Sequence, residues 1–318
     1  SLHGAVITAL NEEAVVSACL ANQSGLNLVA SYEAFCVKML GAVRQSLIFA
    51  RQQKEVGRPA GWLGWPLVAT SHTWENGKNQ QSHQDTTFCE ALLGEMSDMV
   101  RVLFPADHNS VLATLPAIYQ ARGQLACMVI PKRERPAIFS QAQAEQLARD
   151  GAVLVEQLDG EEPLLLMACG SYQLAEMQRA AVRLRTAGLA YRLVYVQEPG
   201  RFRAPRDRWE AQALASPEVV AQLFAPALRR RVLLTHMRPE VARGHLWPLL
   251  PEASNTVVLG YRNRGGTLDE AGMQFANSAT WAHILDACAQ LLQVPLSGVL
   301  SAAEITAVKG EGDPRVLR

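Results

Sequence analysis

The sequence predicts an α/β protein of two domains, each a mostly parallel sheet flanked by helices. Its 318 residues correspond to about two domains at roughly 150 residues per domain. Short apolar runs alternate with helical segments across brief connections, which is typical of parallel strands covered by helices. A polar stretch over residues 133–162 interrupts this alternation. We therefore predict one domain over residues 1–140 and a second over residues 141–318.

The elements of the first domain follow from apolar spacing and from capping residues. Residues 12–21 are spaced as a helix, and Asn11 is a suitable N-cap. Residues 26–30 predict a short buried strand, and a long helix is expected to begin near Ser31. Further along, the pattern predicts a strand at 66–71, a helix at 85–96, a strand within 98–107, a helix at 110–123 and a strand at 124–132.

The second domain shows the same alternation after an expected linker with an exposed helix. An apolar strand ends at a glycine near residue 170, and the helix after it ends at Gly188. The tail from Lys309 carries Gly, Asp, Pro and Arg and is expected to be poorly ordered. Between these points the pattern predicts strands at 190–196, 231–236 and 255–261 and a helix at 278–294.

Composition excludes several classes of protein. Thirty basic residues balance thirty acidic ones, so no net field favours nucleic acid or an anionic membrane as a partner. No apolar run approaches the ~20 residues that a membrane span needs. The six cysteines contain no CxxC pair, so we interpret them as free thiols in a reducing, cytoplasmic location and expect no metal site.

The start of the chain is also informative. It opens at Ser1 without an initiator methionine and enters regular structure almost at once. We therefore expect further residues to precede Ser1 in the parent polypeptide, on the order of 450 for a missing domain with insertions.

A polar loop follows the strand predicted at 66–71. It contains two histidines, His72 and His83, and one cation, Lys78. Loops that leave a strand carry function more often than the scaffold does, which favours a site for a polar, anionic ligand. A solvated loop with capping histidines remains the alternative. The loop also contains the amides Asn76, Asn79, Gln80 and Gln84. Four histidines without such a polar surrounding are interpreted as structural: His108, His236, His245 and His283.

Several segments together resemble a known family. The pair SYEAF and SHTWENGKNQQSHQD is the most specific signal. These segments are similar to successive motifs of the phosphoketolases, and the resemblance extends over nearly the whole chain. The segments are LNEE (10–13), SYEAF (31–35), TSHTWENGKNQQSHQD (70–85), VRVLFPADHNS (100–110), MVIPK (128–132) and GYRNRGGTL (260–268).

The resemblance implies a fold, a reaction and a cofactor. It implies a transketolase-like pyrimidine-binding domain followed by a transketolase C-terminal-like domain. Phosphoketolases use thiamine diphosphate with Mg²⁺ to cleave xylulose 5-phosphate or fructose 6-phosphate with inorganic phosphate, giving acetyl phosphate and an aldose phosphate. In a homodimer of such an enzyme, the diphosphate-binding domain of a second subunit completes the cofactor site. The GDG…N signature of that domain does not occur in this sequence.

Glu12 lies where the family places the carboxylate that hydrogen-bonds N1′ of the aminopyrimidine, which gives it a catalytic and a cofactor-binding role. Glu13 is a rival, because the chain is about two residues shorter than the family between LNEE and SYEAF. Without the resemblance, Glu12 is a first-turn carboxylate stabilised by the helix dipole. Tyr32 and Phe35 match positions that pack around the pyrimidine, although their spacing alone favours helix core.

Further residues match positions that contact substrate in the family. Asn79, His83 and Lys132 match such positions, and His83 suits proton transfer during carbon–carbon cleavage. His72 matches a family histidine of uncertain role and is kept as a catalytic candidate.

Two other predicted substrate-binding residues depart from the family pattern. Asn76 stands where glutamine is usual, and Lys54 replaces an arginine, which keeps the charge but loses the bidentate fork. Lys78 and Gln81 depart as well, which indicates a divergent branch.

Three hypotheses about function remain open from the sequence. The first is part of a phosphoketolase, inactive by itself because the diphosphate-binding domain is missing. The second is a separate subunit of a transketolase-like enzyme that needs a partner chain. The third is a non-catalytic oligomerisation or regulatory module on the same fold, against which the retained Glu12, Asn79, His83 and Lys132 argue.

Overall fold

Two sheets organise the chain in a computed structural model that describes residues 4–22, 25–58, 61–75, 79, 81–250 and 252–318. The first sheet is entirely parallel, with strand order β1-β2-β4-β3. Every position of β3 and β4 is buried, as expected of parallel strands covered on both faces. Its strands are β1 (Val29–Tyr32), β2 (Trp65–Thr70), β3 (Val100–Leu103) and β4 (Leu125–Val129).

The second sheet has the order β5-β7-β6-β8-β9. Its last four strands are parallel, whereas β5 pairs with β7 in the antiparallel direction. The predicted α/β class with mostly parallel sheets is therefore confirmed. The strands are β5 (Ala152–Leu158), β6 (Leu164–Cys169), β7 (Tyr191–Val196), β8 (Arg231–Thr235) and β9 (Thr256–Leu259).

Helices flank both sheets, and side-chain caps fix several helix starts. The Asn11 side chain accepts a bond from the Ala14 amide at 2.8 Å, which confirms it as an N-cap. Among the described residues the helices are α1 (Glu12–Ala21), α2 (Glu33–Cys36), α3 (Leu40–Glu55), α4 (Thr87–Leu93), α5 (His108–Gln120), α6 (Gln141–Asp150), α7 (Ser171–Thr186), α8 (Arg208–Ala213), α9 (Pro217–Leu223), α10 (Pro239–Leu246), α11 (Glu270–Ala276), α12 (Trp281–Leu292) and α13 (Ala302–Val308). None of them combines the length and apolar character that a bilayer crossing needs.

Three local predictions need correction. The helix expected from Ser31 begins at Glu33, because β1 continues to Tyr32 and pairs there with Thr70 of β2. The expected linker contains strand β5, whose sequence AVLVEQL is mostly apolar but lies between polar and charged stretches. The tail is ordered: Leu317 is buried, and its carbonyl accepts a bond from the Trp281 indole at 2.8 Å. The division into two domains near residue 140 stays a prediction.

The two sheets share an apolar core and a buried ion pair. One cluster of buried side chains contains members of both sheets, such as Leu67 and Leu165. The Arg101 guanidinium donates two bonds to the Glu198 carboxylate, at 2.9 and 2.7 Å, and both side chains are buried. This bidentate pair ties β3 to the segment after β7.

The six cysteines are free thiols, as predicted, and all except the half-buried Cys19 are buried. Burial raises the pKa of the Cys19 thiol to about 12. The thiols are therefore protonated near neutral pH and behave as small apolar groups.

Candidate functional site

An aromatic group lies at the carboxyl edge of the first sheet, where ligands of parallel α/β sheets usually bind. Tyr32 ends β1, and its ring stacks on Phe35 with centroids 5.9 Å apart. The His83 ring lies 5.0 Å from the Phe35 ring and 6.4 Å from the Tyr32 ring. Lys132 follows β4, and its ammonium donates to the Tyr32 hydroxyl at 3.2 Å. We call Tyr32, Phe35, His83 and Lys132 the rim. These residues lie up to 100 positions apart in the sequence.

The rim lysine is held at its backbone by a carboxylate that sequence reasoning missed. Glu75 accepts bonds from the amides of Lys132 at 2.9 Å and Arg133 at 3.1 Å. It also accepts one from the Tyr172 hydroxyl at 2.9 Å. The Lys132 ammonium, through its bond and its charge, holds the pKa of the Tyr32 phenol below its usual value. Partners 57 and 97 residues away give no local signal for the role of Glu75.

Glu12 lies next to the rim, whereas Glu13 is exposed on the same helix. The Ser31 hydroxyl donates to Glu12 at a long 3.4 Å, and the Lys38 ammonium lies 3.4 Å from its other oxygen. Lys38 also lies over the Phe35 ring, 5.1 Å from the centroid. Ser31 immediately precedes Tyr32, and Lys38 follows Phe35 by three residues. Glu12 therefore borders the aromatic group.

The polar loop is anchored on both sides of the rim. The Ser82 hydroxyl lies 2.9 Å from Nδ1 of His83 and 3.4 Å from the carbonyl of Asn79, so Asn79 is brought close to the rim. Beyond His83, Gln84 donates to the Gly266 carbonyl at 3.1 Å and thereby attaches the loop to the second half of the chain. Asn76 and Lys78 lie outside the described residues.

Behind the rim lies a buried polar group that we call the inner cluster: Glu33, His72, Cys89 and His236. One Glu33 oxygen lies 2.7 Å from Nε2 of His236, and the other accepts a bond from the Thr73 amide at 2.8 Å. The His72 and His236 rings are 5.0 Å apart. His236, interpreted from sequence as structural, thus joins β8 to the start of α2.

Burial controls the protonation of the inner cluster. Burial and the neighbouring His236 lower the pKa of His72 to about 4, so its imidazole is neutral near pH 7. Despite opposing desolvation, His236 and the Thr73 amide hold the pKa of Glu33 below its usual value. The ligand atoms of Glu33, Cys89 and His236 lie within 4.8 Å of one another, close enough to hold a metal ion.

His72 and Lys54 are separated from the rim. His72 is only 2% exposed and packs against Tyr172 and His236. Lys54 is near the end of α3, which returns to the amino edge of the sheet, and it pairs with Asp98 just before β3. The substrate role of Lys54 and the catalytic role of His72 stay predictions.

A sequence signal existed for one of the missed residues. Glu33 stands in the apolar context Tyr-Glu-Ala-Phe-Cys, and a carboxylate there predicts either an exposed turn or a buried, paired charge. The sequence alone does not decide between them, because the partner His236 is 203 residues away.

Comparison with known families gives a match over the first part of the chain. Residues 1–121 match the family described as D-xylulose 5-phosphate/D-fructose 6-phosphate phosphoketolase. A probable phosphoketolase from Brucella suis is 31% identical over 247 residues, which cover 73% of this chain and 29% of that protein. One from Lactococcus lactis is 26% identical over 205 residues, covering 62% and 25%. The chain thus spans less than a third of the length of either relative.

Solved structures show the same fold. A transketolase mutant from Pichia stipitis aligns with a TM-score of 0.62 and 15% identity, covering 87% of this chain and 36% of that one. A split-gene transketolase described as an inactive β4 tetramer aligns with a TM-score of 0.65 and 14% identity, covering 90% of this chain and 83% of that one. The fold is therefore transketolase-like, and the chain is a relative of the phosphoketolase family, as its motifs predict.

Proposed function

We propose that this chain forms the pyrimidine-side wall of a thiamine diphosphate site in a phosphoketolase-type enzyme. The single observation that carries the proposal is the assembly of Tyr32, Phe35, His83 and Lys132 at one sheet edge beside Glu12. These residues come from four motifs that resemble those of the family, and a buried scaffold would not require them to meet. A carboxylate beside stacked aromatic rings fits an aminopyrimidine.

Each cofactor-binding residue has a role that its surroundings permit. Half-buried Tyr32 and Phe35 offer ring surface for stacking. Glu12 retains 17% side-chain exposure, and both of its polar contacts are long, 3.4 Å each, so it can exchange them for a bond to a ring nitrogen. When bound, thiamine diphosphate supplies the nucleophilic carbon for cleavage of the ketose; this chain orients the pyrimidine and exchanges a proton at N1′.

The other rim residues suit a sugar phosphate. Lys132 is exposed, and its ammonium can attract the substrate phosphate or inorganic phosphate as a point charge. His83 is half-buried next to the aromatic pair, where an imidazole can hold or move a proton of a substrate hydroxyl. The side-chain amide of Asn79 would donate a hydrogen bond to the same substrate.

Mg²⁺ and the diphosphate would be held by a domain outside this chain, in a second subunit of a homodimer. The sequence contains no GDG…N signature, and the rim offers one ammonium but no paired carboxylates for a metal. We therefore expect the isolated chain to be inactive and to bind thiamine diphosphate weakly. Calorimetric titration with and without Mg²⁺ tests this expectation; tight, magnesium-dependent binding would contradict it.

Activity is best tested in a chimera that places the amino-terminal part of the Brucella suis relative before this chain. We expect acetyl phosphate from xylulose 5-phosphate and inorganic phosphate, and its loss in the His83→Ala variant. The matched control is His108→Ala, which removes an exposed imidazole outside the rim. A folded chimera that binds thiamine diphosphate but forms no acetyl phosphate would contradict the proposed reaction.

The second candidate is a separate subunit of a transketolase-like enzyme. The observation that supports it is the likeness in fold to the split-gene transketolase chain, with a TM-score of 0.65. The same chimera separates the two reactions: with an aldose phosphate and no inorganic phosphate, a transketolase would form a longer ketose phosphate. If the chimera folds and His83→Ala changes neither reaction, a non-catalytic module is favoured.

A further inference from the structure

A basic hollow lies in the second half of the chain, behind the polar loop. Its volume is about 580 Å³, and it is lined by Arg238, Glu240, Tyr261, Arg262, Asn263 and Arg264 among others. Among the described residues that line the hollow, three carry a guanidinium group and one carries a carboxylate. It lies outside the rim and outside the inner cluster, and the proposed function gives it no role.

The positive charge of the hollow is only partly neutralised. Arg238 pairs with Asp85 and Glu90. Arg262 donates to the Ser278 hydroxyl at 3.1 Å, which leaves its charge unbalanced. Within the part of the chain that the structure describes, the Arg264 side chain is exposed and has no hydrogen bond or ion pair. Two guanidinium groups without a carboxylate partner in the same hollow repel each other, and a bound anion would relieve this repulsion.

The backbone fixes the two arginines at this place. The amides of Arg262 and Arg264 both donate to the Asn277 side-chain oxygen, at 2.8 and 3.3 Å. The Asn277 amide donates back to the Arg264 carbonyl at 2.8 Å. Asn277 is fully buried, so the segment between β9 and α11 is held by a core side chain. The arginines are therefore presented from a fixed loop.

We propose that this hollow binds a phosphate-bearing anion through Arg262 and Arg264, with Arg238 as a third contact. Guanidinium groups form paired bonds to phosphate oxygens, and a diphosphate group is large enough to engage two of them. The volume leaves room for the organic part of a phosphate ester or nucleotide, so the test includes inorganic and organic phosphates.

The hollow shares residues with the loop that carries His83, so its occupant would influence the rim. Arg238 donates to Asp85 at 3.1 Å, two residues after His83. The Tyr261 hydroxyl donates to the Gln84 carbonyl at 3.0 Å. An anion that drew Arg238 from Asp85 would loosen one of these links, while the bond from Gln84 to Gly266 would remain.

In the binding test, inorganic pyrophosphate is titrated into the full chain and binding is measured by calorimetry. Sodium chloride keeps the ionic strength constant. We expect the Arg262→Ala/Arg264→Ala double variant to raise the Kd at least about tenfold, since charged hydrogen bonds are lost. Arg264→Lys keeps the charge and should lose less. Glu240→Gln removes the opposing carboxylate and should tighten binding. Arg208→Ala, an exposed arginine beside Trp209, is the matched control.

Three outcomes would overturn the proposal. One is unchanged binding in the double variant. Another is equal weakening in Arg208→Ala, which would show general electrostatics. The third is loss of binding only in Lys132→Ala, which would assign the pyrophosphate to the rim. Circular dichroism of each variant verifies folding. Inorganic phosphate and adenosine diphosphate, titrated in parallel, distinguish a simple phosphate site from a nucleotide site. The result is independent of phosphoketolase activity, so the failure of either proposal leaves the other testable.

Discussion

Two carboxylates near the start of the chain, Glu33 and Glu12, have opposite surroundings. Glu33 is completely buried and bonded at 2.7 Å to His236 and at 2.8 Å to the Thr73 amide. Glu12 is 17% exposed at its side chain, and its contacts with Ser31 and Lys38 are 3.4 Å long. Only 21 positions separate them in sequence.

The comparison separates structural charges from available ones. A buried carboxylate whose oxygens are both bonded within the protein is part of the fold, because its removal leaves buried partners unsatisfied. A partly exposed carboxylate with long contacts contributes little to stability but can rearrange around a ligand. Family resemblance at both positions does not distinguish these roles, whereas burial and bond lengths do.

The largest expected effect comes from removing Glu33, the buried carboxylate. Glu33→Ala leaves His236 and the Thr73 amide without their acceptor, so we expect a loss of about 3–5 kcal/mol in the free energy of unfolding. Glu12→Ala should cost less than about 0.5 kcal/mol. Urea unfolding at pH 7 measures both variants; equal losses would show that the two surroundings do not differ energetically.

The next largest effect is the pH dependence of folding stability that arises from the inner cluster. The folded-state pKa of His72 is about 4, against a usual 6.5, so between these values the unfolded chain binds more protons and stability falls as the pH falls. We expect His72 to account for about 2–4 kcal/mol of that loss. His72→Gln should lessen the slope over this window. Below about pH 4.5 the Glu33 contribution is lost as well, because its folded pKa is depressed.

Urea unfolding of both proteins at pH 7, 5.5 and 4 provides the measurement. His245 and His283 also have pKa values lowered to about 4 by burial, and they contribute equally to both proteins. Identical pH dependence in the wild type and His72→Gln would contradict the assignment.

A smaller effect concerns Glu75, which links the rim to the second half of the chain. Glu75→Gln retains an acceptor but presents an amide N–H₂ to one of its three donors, so we expect a loss of about 1–2 kcal/mol. The Lys132 backbone should become more mobile, which amide hydrogen exchange of Lys132 and Arg133 would detect. Glu145→Gln, on exposed helix α6, is the control. Unchanged protection at both amides would refute the linking role.

The smallest effect lies on the rim itself. Lys132→Met removes the cation that lowers the Tyr32 phenol pKa, so that pKa should rise toward 10 while the free energy of unfolding stays within about 0.5 kcal/mol. Absorbance at the tyrosinate band, with Tyr32→Phe to identify the Tyr32 signal, measures the pKa. A large loss of stability would place Lys132 among the structural charges.

Sequence reasoning predicted local features well and distant pairings poorly. The Asn11 cap and eight of the nine described strands depend on neighbouring residues, and the rim residues lie in recognisable motifs. Strand β5 was missed because its seven residues lie between long polar and charged stretches that are typical of a linker. Order in the tail was missed because it depends on Trp281, 36 residues before Leu317. The inner cluster required contacts that no local pattern indicates.

The most direct test of the central claim compares two adjacent carboxylates. Thiamine, which has the aminopyrimidine but no diphosphate, is titrated into the chain and followed by ligand-observed NMR. We predict weak binding that falls about tenfold in Glu12→Gln, since a hydrogen bond to a charged group is lost, and that is unchanged in Glu13→Gln. Equal effects of the two substitutions, or a larger one for Glu13→Gln, would contradict the assignment of Glu12.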